Sequence, residues 1–88
     1  MEVSFTPAFI RQLKSLPEKL QEEALEKIEI FGDLKNHQTL KVHKLKGRLN
    51  GRQSFSVNFS TRIVFCYLKT KPKEACLLAI GNHEVYDK

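Results

Sequence analysis

Four residues of this chain have side chains suited to acid–base and phosphate chemistry: His43, Arg62, His83 and Tyr86. Cleavage of a phosphodiester by a neighbouring 2′-hydroxyl needs a base for that hydroxyl, a cation for the charge on the transition state and an acid for the leaving oxygen. Histidine titrates near neutrality, and arginine binds phosphate through a bidentate fork. The four residues together therefore indicate a metal-independent site for cleaving RNA.

Each of these residues also has an interpretation without catalysis. His43 can be an ordinary surface residue of a strand, and Arg62 can cap the sheet through a salt bridge to a helix glutamate. His83 and Tyr86 can belong to a disordered tail. The catalytic interpretation requires that the side chains come from separate strand ends and meet over one open face of a sheet.

The basic residues are concentrated in one part of the chain. Residues 34–73 contain ten Lys and Arg residues and no Asp or Glu, whereas the remainder contains five basic and ten acidic residues. Such a distribution favours a polyanion as partner, although lysine-rich strand edges also serve to discourage aggregation. The residues predicted to contact RNA are Lys44, Lys46, Arg48, Arg52 and Asn58. Phe55 and Tyr67 can stack on bases, but their strand positions favour core packing.

The region from Leu40 to Tyr67 has the strongest strand signals. We predict strands at about 40–45, 53–59 and 62–68, with Phe55, Val57 and Phe59 turned towards a core. The apolar run 63–68 is typical of a central strand buried on both faces. An Asn50-Gly51 turn separates the first two strands. Further strands are predicted at 2–5 and 75–80.

The region before these strands predicts two helices. Thr6 is the expected N-cap of the first, with Pro7 at its first position. The second begins at Pro17 and runs to about Phe31, and Gly32 is expected to end it in the left-handed conformation. Its predicted inward residues are Leu20, Ala24, Leu25, Ile28 and Phe31. The fold class is therefore α+β: an antiparallel sheet of about four to five strands with an α-hairpin on one face, in the order β-α-α-β-β-β-β.

Length and composition indicate a single domain over residues 1–88. The sequence has no apolar run long enough to cross a membrane and no N-terminal signal segment, so we expect a cytoplasmic protein. Cys66 and Cys76 lie in apolar runs, where a buried thiol packs as a small hydrophobe. Without a CxxC motif or a Cys/His cluster, neither a metal site, a disulfide framework nor a small-molecule cofactor is predicted.

Three segments resemble the RelE/ParE superfamily of bacterial type II toxins: HKLKG at 43–47, GRQSFSVNFSTRIVFCY at 51–67 and IGNHEVY at 80–86. With the preceding α-hairpin, the similarity covers nearly the whole chain. It is closest to the RelE, YafQ, YoeB and HigB branches, which cut mRNA in the ribosomal A site. The resemblance implies an mRNA endoribonuclease that acts on the 70S ribosome and is neutralised by a cognate antitoxin.

The resemblance also implies roles for individual residues. His43 matches a catalytic histidine of the YafQ branch, and Arg62 matches the arginine that RelE-like toxins place against the scissile phosphate. His83 and Tyr86 match the C-terminal residues that protonate or stack on the substrate. Where RelE has two strand lysines this chain has Ser56 and Asn58, so the base role passes to His43.

Two other functions fit the same resemblance. A ParE-like protein would inhibit DNA gyrase, because one scaffold hosts both activities. A catalytically silent module would bind RNA or the ribosome without cleaving it. The combination of His43, Arg62, His83 and Tyr86 favours the nuclease.

Overall fold

The computed structural model describes residues 1–45, 51–70 and 73–82. The described elements, in chain order, are β1 (Glu2–Phe5), α1 (Pro7–Lys14), α2 (Glu18–Phe31), a 3₁₀ helix (Leu34–Asn36), β2 (His43–Lys44), β3 (Gln53–Ser56), β4 (Arg62–Leu68) and β5 (Glu74–Gly81). The predicted α+β class and the predicted element order are confirmed. Among the described residues, no helix is both long enough and apolar enough to span a membrane.

The five strands form one sheet in the order β1-β5-β4-β3-β2. The pairs β2–β3, β3–β4 and β4–β5 are antiparallel, but β1 runs parallel to β5. The prediction of a wholly antiparallel sheet is thus wrong at this edge. Parallel neighbours need a long crossover, and the chain supplies one by passing through the helix pair and three strands before β5.

Helix α1 and its N-cap form hydrogen bonds with β5 beside an irregularity in that strand. The register of β4 against β5 shifts between Val64 and Phe65, which leaves Leu78 as an extra residue of β5. The Thr6 hydroxyl donates to the Leu78 carbonyl (3.3 Å) and accepts from the Phe9 N–H (3.0 Å), so the predicted N-cap is confirmed and also contacts this bulge. Gln12 Oε1 accepts from the N–H of Ile80 at 2.9 Å.

Helix α2 packs through Ala24, Ile28 and Phe31, as predicted. Two other predictions for this helix are wrong. Leu25 is 52% exposed, because it follows Ala24 and so points about 100° away from it on the helical wheel. Gly32 has φ −59°, a right-handed conformation, since the chain continues almost directly into the 3₁₀ helix instead of reversing.

The core is an aromatic cluster between α2 and the middle of the sheet. Phe31 is fully buried and stacks on Phe55 (ring centroids 4.6 Å apart) and His37 (4.3 Å), while Phe65 meets its edge at 4.7 Å. Phe9 and Leu77 extend the cluster beneath α1. The core-packing interpretation of Phe55 is confirmed.

The strands around the cluster differ in length from the predictions. Strand β4 has the predicted bounds, and Ile63, Val64 and Phe65 are all buried, as expected of a central strand. Strand β2 is only His43–Lys44, because residues 37–41 form a compact turn.

Strand β3 ends at Ser56, three residues earlier than predicted. Phe59 lies in the following loop and is 95% exposed, so its predicted inward orientation is wrong. The alternating pattern of the sequence continues past the point where the backbone leaves the sheet.

Replacing Phe31 tests the importance of the aromatic cluster. We expect Phe31→Ala to lower the free energy of unfolding by about 3–5 kcal/mol, because it removes a fully buried ring and leaves a cavity. The matched control on the same helix is Leu25→Ala, which should cost no more than about 1 kcal/mol, since Leu25 is half exposed. Urea unfolding followed by circular dichroism measures both values. Equal losses in the two variants would contradict the proposed core.

Candidate active site

The sheet has a face covered by the helices and an opposite face, which we call the far face. Strand alternation places Phe55, Ile63 and Phe65 against the helices. The intervening residues on the far face include His43, Ser54, Ser56, Arg62, Val64, Cys66 and Cys76. Val64 is buried, yet it lies outside the core cluster, as expected of a residue on the other side of the sheet.

The imidazole of His43 is held at both ring nitrogens. Nδ1 lies 3.1 Å from the carbonyl oxygen of Lys41, and Nε2 lies 3.2 Å from Oγ of Ser54. A carbonyl only accepts, so Nδ1 carries the proton and Nε2 of the neutral ring accepts from the Ser54 hydroxyl. Ser54 is fully buried whereas His43 is exposed. The arrangement leaves an exposed imidazole with its basic nitrogen on the far face.

The backbone before His43 is compact and partly strained. Lys41 has φ +57°, the left-handed region that non-glycine residues rarely adopt. The N–H groups of Leu40, Lys41 and Val42 bond to the carbonyls of Asn36, Gln38 and His37, respectively. This turn directs the carbonyl of Lys41 at the His43 ring, so the unusual conformation has a direct role in orienting the imidazole.

Arg62 lies on the far face at the start of β4, where it organises the β3–β4 loop. Its Nη1 donates to the carbonyls of Asn58 (2.7 Å), Phe59 (3.1 Å) and Thr61 (3.3 Å). No ion pair of Arg62 with a helix glutamate occurs within the described parts of the chain. The guanidinium is thereby fixed at the loop end of the sheet.

Asn58 has a comparable role inside that loop. Its Oδ1 accepts from the N–H groups of Ser60 (3.0 Å) and Thr61 (2.9 Å), and its Nδ2 lies 3.4 Å from Oε2 of Glu23 on α2. These bonds are typical of an Asx turn. The structure thus uses the Asn58 amide to shape the loop and to contact the helix.

His43 and Arg62 share a face but do not touch. His43 lies two strands away from β4, where the residue in line with it is Val64, and Arg62 is two residues before Val64. This corresponds to about 12 Å between the Cα atoms of His43 and Arg62. Lys44 is paired with Gln53, so strand alternation places its side chain on the face covered by the helices. Arg52 is two residues before Ser54, which places its side chain on the far face. Lys46, Arg48, His83 and Tyr86 lie outside the described residues.

A second histidine, His37, is half-buried between α2 and the sheet and was not among the predicted site residues. His37 Nε2 lies 2.8 Å from the carbonyl of Phe31, so it donates, and Nδ1 accepts from the Tyr67 hydroxyl at 2.6 Å. Lys73 Nζ lies 4.0 Å from the centre of the Tyr67 ring. Burial raises the pKa of the Tyr67 phenol above its ordinary value of 10.0. In the sequence, the only sign of this role is that His37 lies six residues after Phe31. That spacing does not separate a buried, hydrogen-bonded histidine from an ordinary surface histidine.

Metal-binding side chains do not cluster in the described regions 1–45, 51–70 and 73–82, where no three His, Cys, Asp or Glu residues come together. Besides its two thiols, the far face presents one imidazole and two guanidinium groups, those of His43, Arg62 and Arg52. Such a set can transfer a proton and bind an anionic oxygen.

Comparison with known proteins gives a clear result at the level of structure. No protein-family model and no curated protein matches the sequence. A chain of the toxin–antitoxin complex RelBE2 from Mycobacterium tuberculosis superposes with a TM-score of 0.74 at 22% identity, over 93% of this chain and 96% of that one. The chain has the fold of the RelE/ParE toxins.

Two further structures support this assignment of the RelE/ParE fold. The archaeal RelE–RelB complex from Pyrococcus horikoshii gives a TM-score of 0.70 at 19% identity, over 92% of each chain. YafQ from Escherichia coli gives 0.69 at 12% identity, over 96% of this chain and 94% of that one. The predicted resemblance is confirmed for the architecture. These proteins share the fold of this chain, although most of their residues differ from it.

The Tyr67 phenol makes the free energy of unfolding change with pH in the alkaline range. Because burial raises its folded-state pKa, the phenol contributes stability below pH 10 that is lost as pH rises through the folded pKa. We expect Tyr67→Phe to be less stable by about 1–2 kcal/mol at pH 8, since His37 loses its donor, and the difference from the parent should shrink above pH 10.

Urea titrations between pH 8 and 11 measure this effect. Both proteins should carry Cys66→Ser, because burial also raises the pKa of the Cys66 thiol and its titration would overlap. A difference between the two proteins that stays constant across this range would show that the phenol does not titrate as described.

Proposed function

We propose that this protein is a type II toxin that cleaves messenger RNA on the ribosome and is neutralised by an antitoxin encoded beside it. The observation that supports this most directly is the exposed His43 imidazole, held in one tautomer by the Lys41 carbonyl and the buried Ser54 hydroxyl. The RelE/ParE fold adds to it, because the similar structures include toxin–antitoxin complexes.

In this proposal His43 is the general base. A ribose 2′-hydroxyl replaces the Ser54 hydroxyl as donor to Nε2, transfers its proton there and attacks the adjacent phosphorus. The bond from phosphorus to the 5′-oxygen breaks, which leaves a 2′,3′-cyclic phosphate on one product and a 5′-hydroxyl on the other. The Lys41 carbonyl, which already accepts from Nδ1–H, stabilises the imidazolium that forms.

The cations of the far face bind the phosphate backbone in this proposal. Arg62 carries five N–H donors, and its hydrogen bonds to described residues all use Nη1. The remaining donors suit an anionic oxygen of the transition state. Arg52 lies further along the same face, and Lys44, Lys46 and Arg48 would supply long-range attraction. We assign the general acid to His83, with Tyr86 stacking on the substrate.

The antitoxin is expected to be acidic where it crosses this basic region. The chain carries ten basic and no acidic residues between positions 34 and 73. An acidic segment would neutralise the far face and exclude RNA from it by like charge and by steric overlap. Such a segment would bind as an amphipathic helix or as a strand added to the sheet edge at β2.

Replacing His43 tests the catalytic assignment. We expect His43→Ala to slow cleavage of translated mRNA by about 10²–10⁴-fold, the usual contribution of a positioned base. The measurement is mapping of mRNA 5′ ends in a purified translation reaction. The variant should lose less than about 1 kcal/mol of stability, because His43 is an exposed residue at the edge of the sheet.

The matched control is Lys19→Ala, which removes an exposed cation from α2, remote from the far face. Its cleavage rate should equal that of the parent. Intact mRNA with the parent protein, together with inhibition of DNA supercoiling by gyrase, would reject the nuclease in favour of a gyrase inhibitor. Full cleavage by His43→Ala would reject the assigned base.

Ser54 provides an independent test, because it positions His43 without touching substrate. We expect Ser54→Ala to reduce kcat/KM for cleavage by about tenfold, since the imidazole of the free protein loses the hydrogen bond that orients its ring before the 2′-hydroxyl binds. The value of kcat should stay nearly unchanged, because the 2′-hydroxyl has already replaced the Ser54 hydroxyl at Nε2 in the bound complex, and Ser54→Thr should restore kcat/KM. An unchanged kcat/KM in Ser54→Ala would show that Ser54 has only a packing role.

A further inference from the structure

The two cysteines of the chain are direct neighbours across the sheet. Cys66 in β4 is paired with Cys76 in β5 in the antiparallel register, so both side chains point to the same face. That face is the far face, because the flanking Phe65 and Leu77 belong to the core beneath the helices. Both cysteines are free thiols and half-buried, and solvent reaches each of them.

The geometry of this pair is suitable for a disulfide. Directly opposite residues of antiparallel strands have Cα atoms about 4.5–5.5 Å apart. Disulfides span Cα separations of about 4.4–6.8 Å. The strands are already joined by register pairs on both sides, Phe65 with Leu77 and Tyr67 with Ala75. The Cα spacing expected for this pair is therefore within the range that a disulfide spans.

The thiols lie within a row that crosses the far face. Ser4 of β1 is opposite Cys76, and the β3–β4 register places Arg52 next to Cys66 on the other side. The charge of Arg52 lowers the pKa of the Cys66 thiol, but burial and the neighbouring Cys76 together raise it more. Cys66 is thus a protonated thiol at neutral pH with a second thiol beside it.

We propose that Cys66 and Cys76 form a redox site that a hydroperoxide converts to an intrachain disulfide. The thiolate of one cysteine attacks a peroxide oxygen, the O–O bond breaks and a sulfenic acid forms with release of water. The second thiol then attacks that sulfur, the S–S bond forms and a second water leaves. Two thiols and one hydrogen peroxide give one disulfide and two waters.

This site goes beyond the proposed function and does not depend on it. The disulfide would bond the two central strands of the far face next to the β4–β5 irregularity at Val64 and Phe65. Reduction by a dithiol restores the free pair. Because the Cys66 pKa is raised, formation of the disulfide should become faster as pH rises from 7 to 9.

The test treats the full chain with hydrogen peroxide at low protein concentration, followed by alkylation and mass spectrometry. We expect the mass of a monomer lacking two hydrogens, no alkylation at either cysteine, and recovery of both alkylation sites after dithiothreitol. Tryptic peptides should contain Cys66 linked to Cys76.

A matched control moves one thiol by two residues on the same strand and face. In the double variant Cys76→Ser, Glu74→Cys the new thiol is diagonal to Cys66, because Glu74 is opposite Leu68. Diagonal residues are about 7–8 Å apart, beyond the usual reach of a disulfide. We expect the intrachain bond to form at least tenfold more slowly, with sulfinic acid or dimers appearing instead. Circular dichroism establishes that the variant is folded.

Two outcomes would overturn the proposal. One is a folded parent protein that accumulates sulfinic acids or intermolecular dimers without the intrachain bond. The other is equal rates of closure in the parent and the diagonal variant, which would show that the disulfide forms in an unfolded chain. Neither outcome bears on RNA cleavage, which is measured separately under reducing conditions.

Discussion

The stacking of Phe31 between His37 and Phe55 is the contact on which the rest of the structure depends. The three rings connect the end of α2, the segment after it and the middle of the sheet. Phe31 is fully buried, and its own carbonyl accepts from His37 Nε2. One residue therefore fixes where the helix pair lies on the sheet and where the following chain begins.

The position of His43 follows from this contact through a short series of hydrogen bonds. His37 is anchored on Phe31 and Tyr67, and its carbonyl accepts from the N–H of Val42. The turn that results forces Lys41 into its left-handed conformation, and the Lys41 carbonyl then holds the imidazole. The surface imidazole is in this way oriented from the core, which is how a small domain can keep a side chain in place on an exposed edge strand.

The sequence predicted the features that arise from local pattern and missed those that arise from packing. The bounds of β4 and the Thr6 cap follow from an apolar run and from capping chemistry, both visible in a few residues. The β1–β5 pairing and the roles of His37 and Ser54 depend on residues far apart in the chain. Candidate residues such as His43 and Arg62 were identifiable by type, but their hydrogen-bond partners, mainly backbone carbonyls, carry no signature in the sequence.

The parallel pairing of β1 with β5 has a consequence for the synthesis of the protein. Residues 2–5 pair with residues 74–77 of β5, so β1 has no strand partner among the described elements until β5 has left the ribosomal exit tunnel. Contacts between such distant segments slow folding, because a long loop must close first. A nascent chain therefore exposes β4 and its apolar residues until β5 has been synthesised and can pair with it.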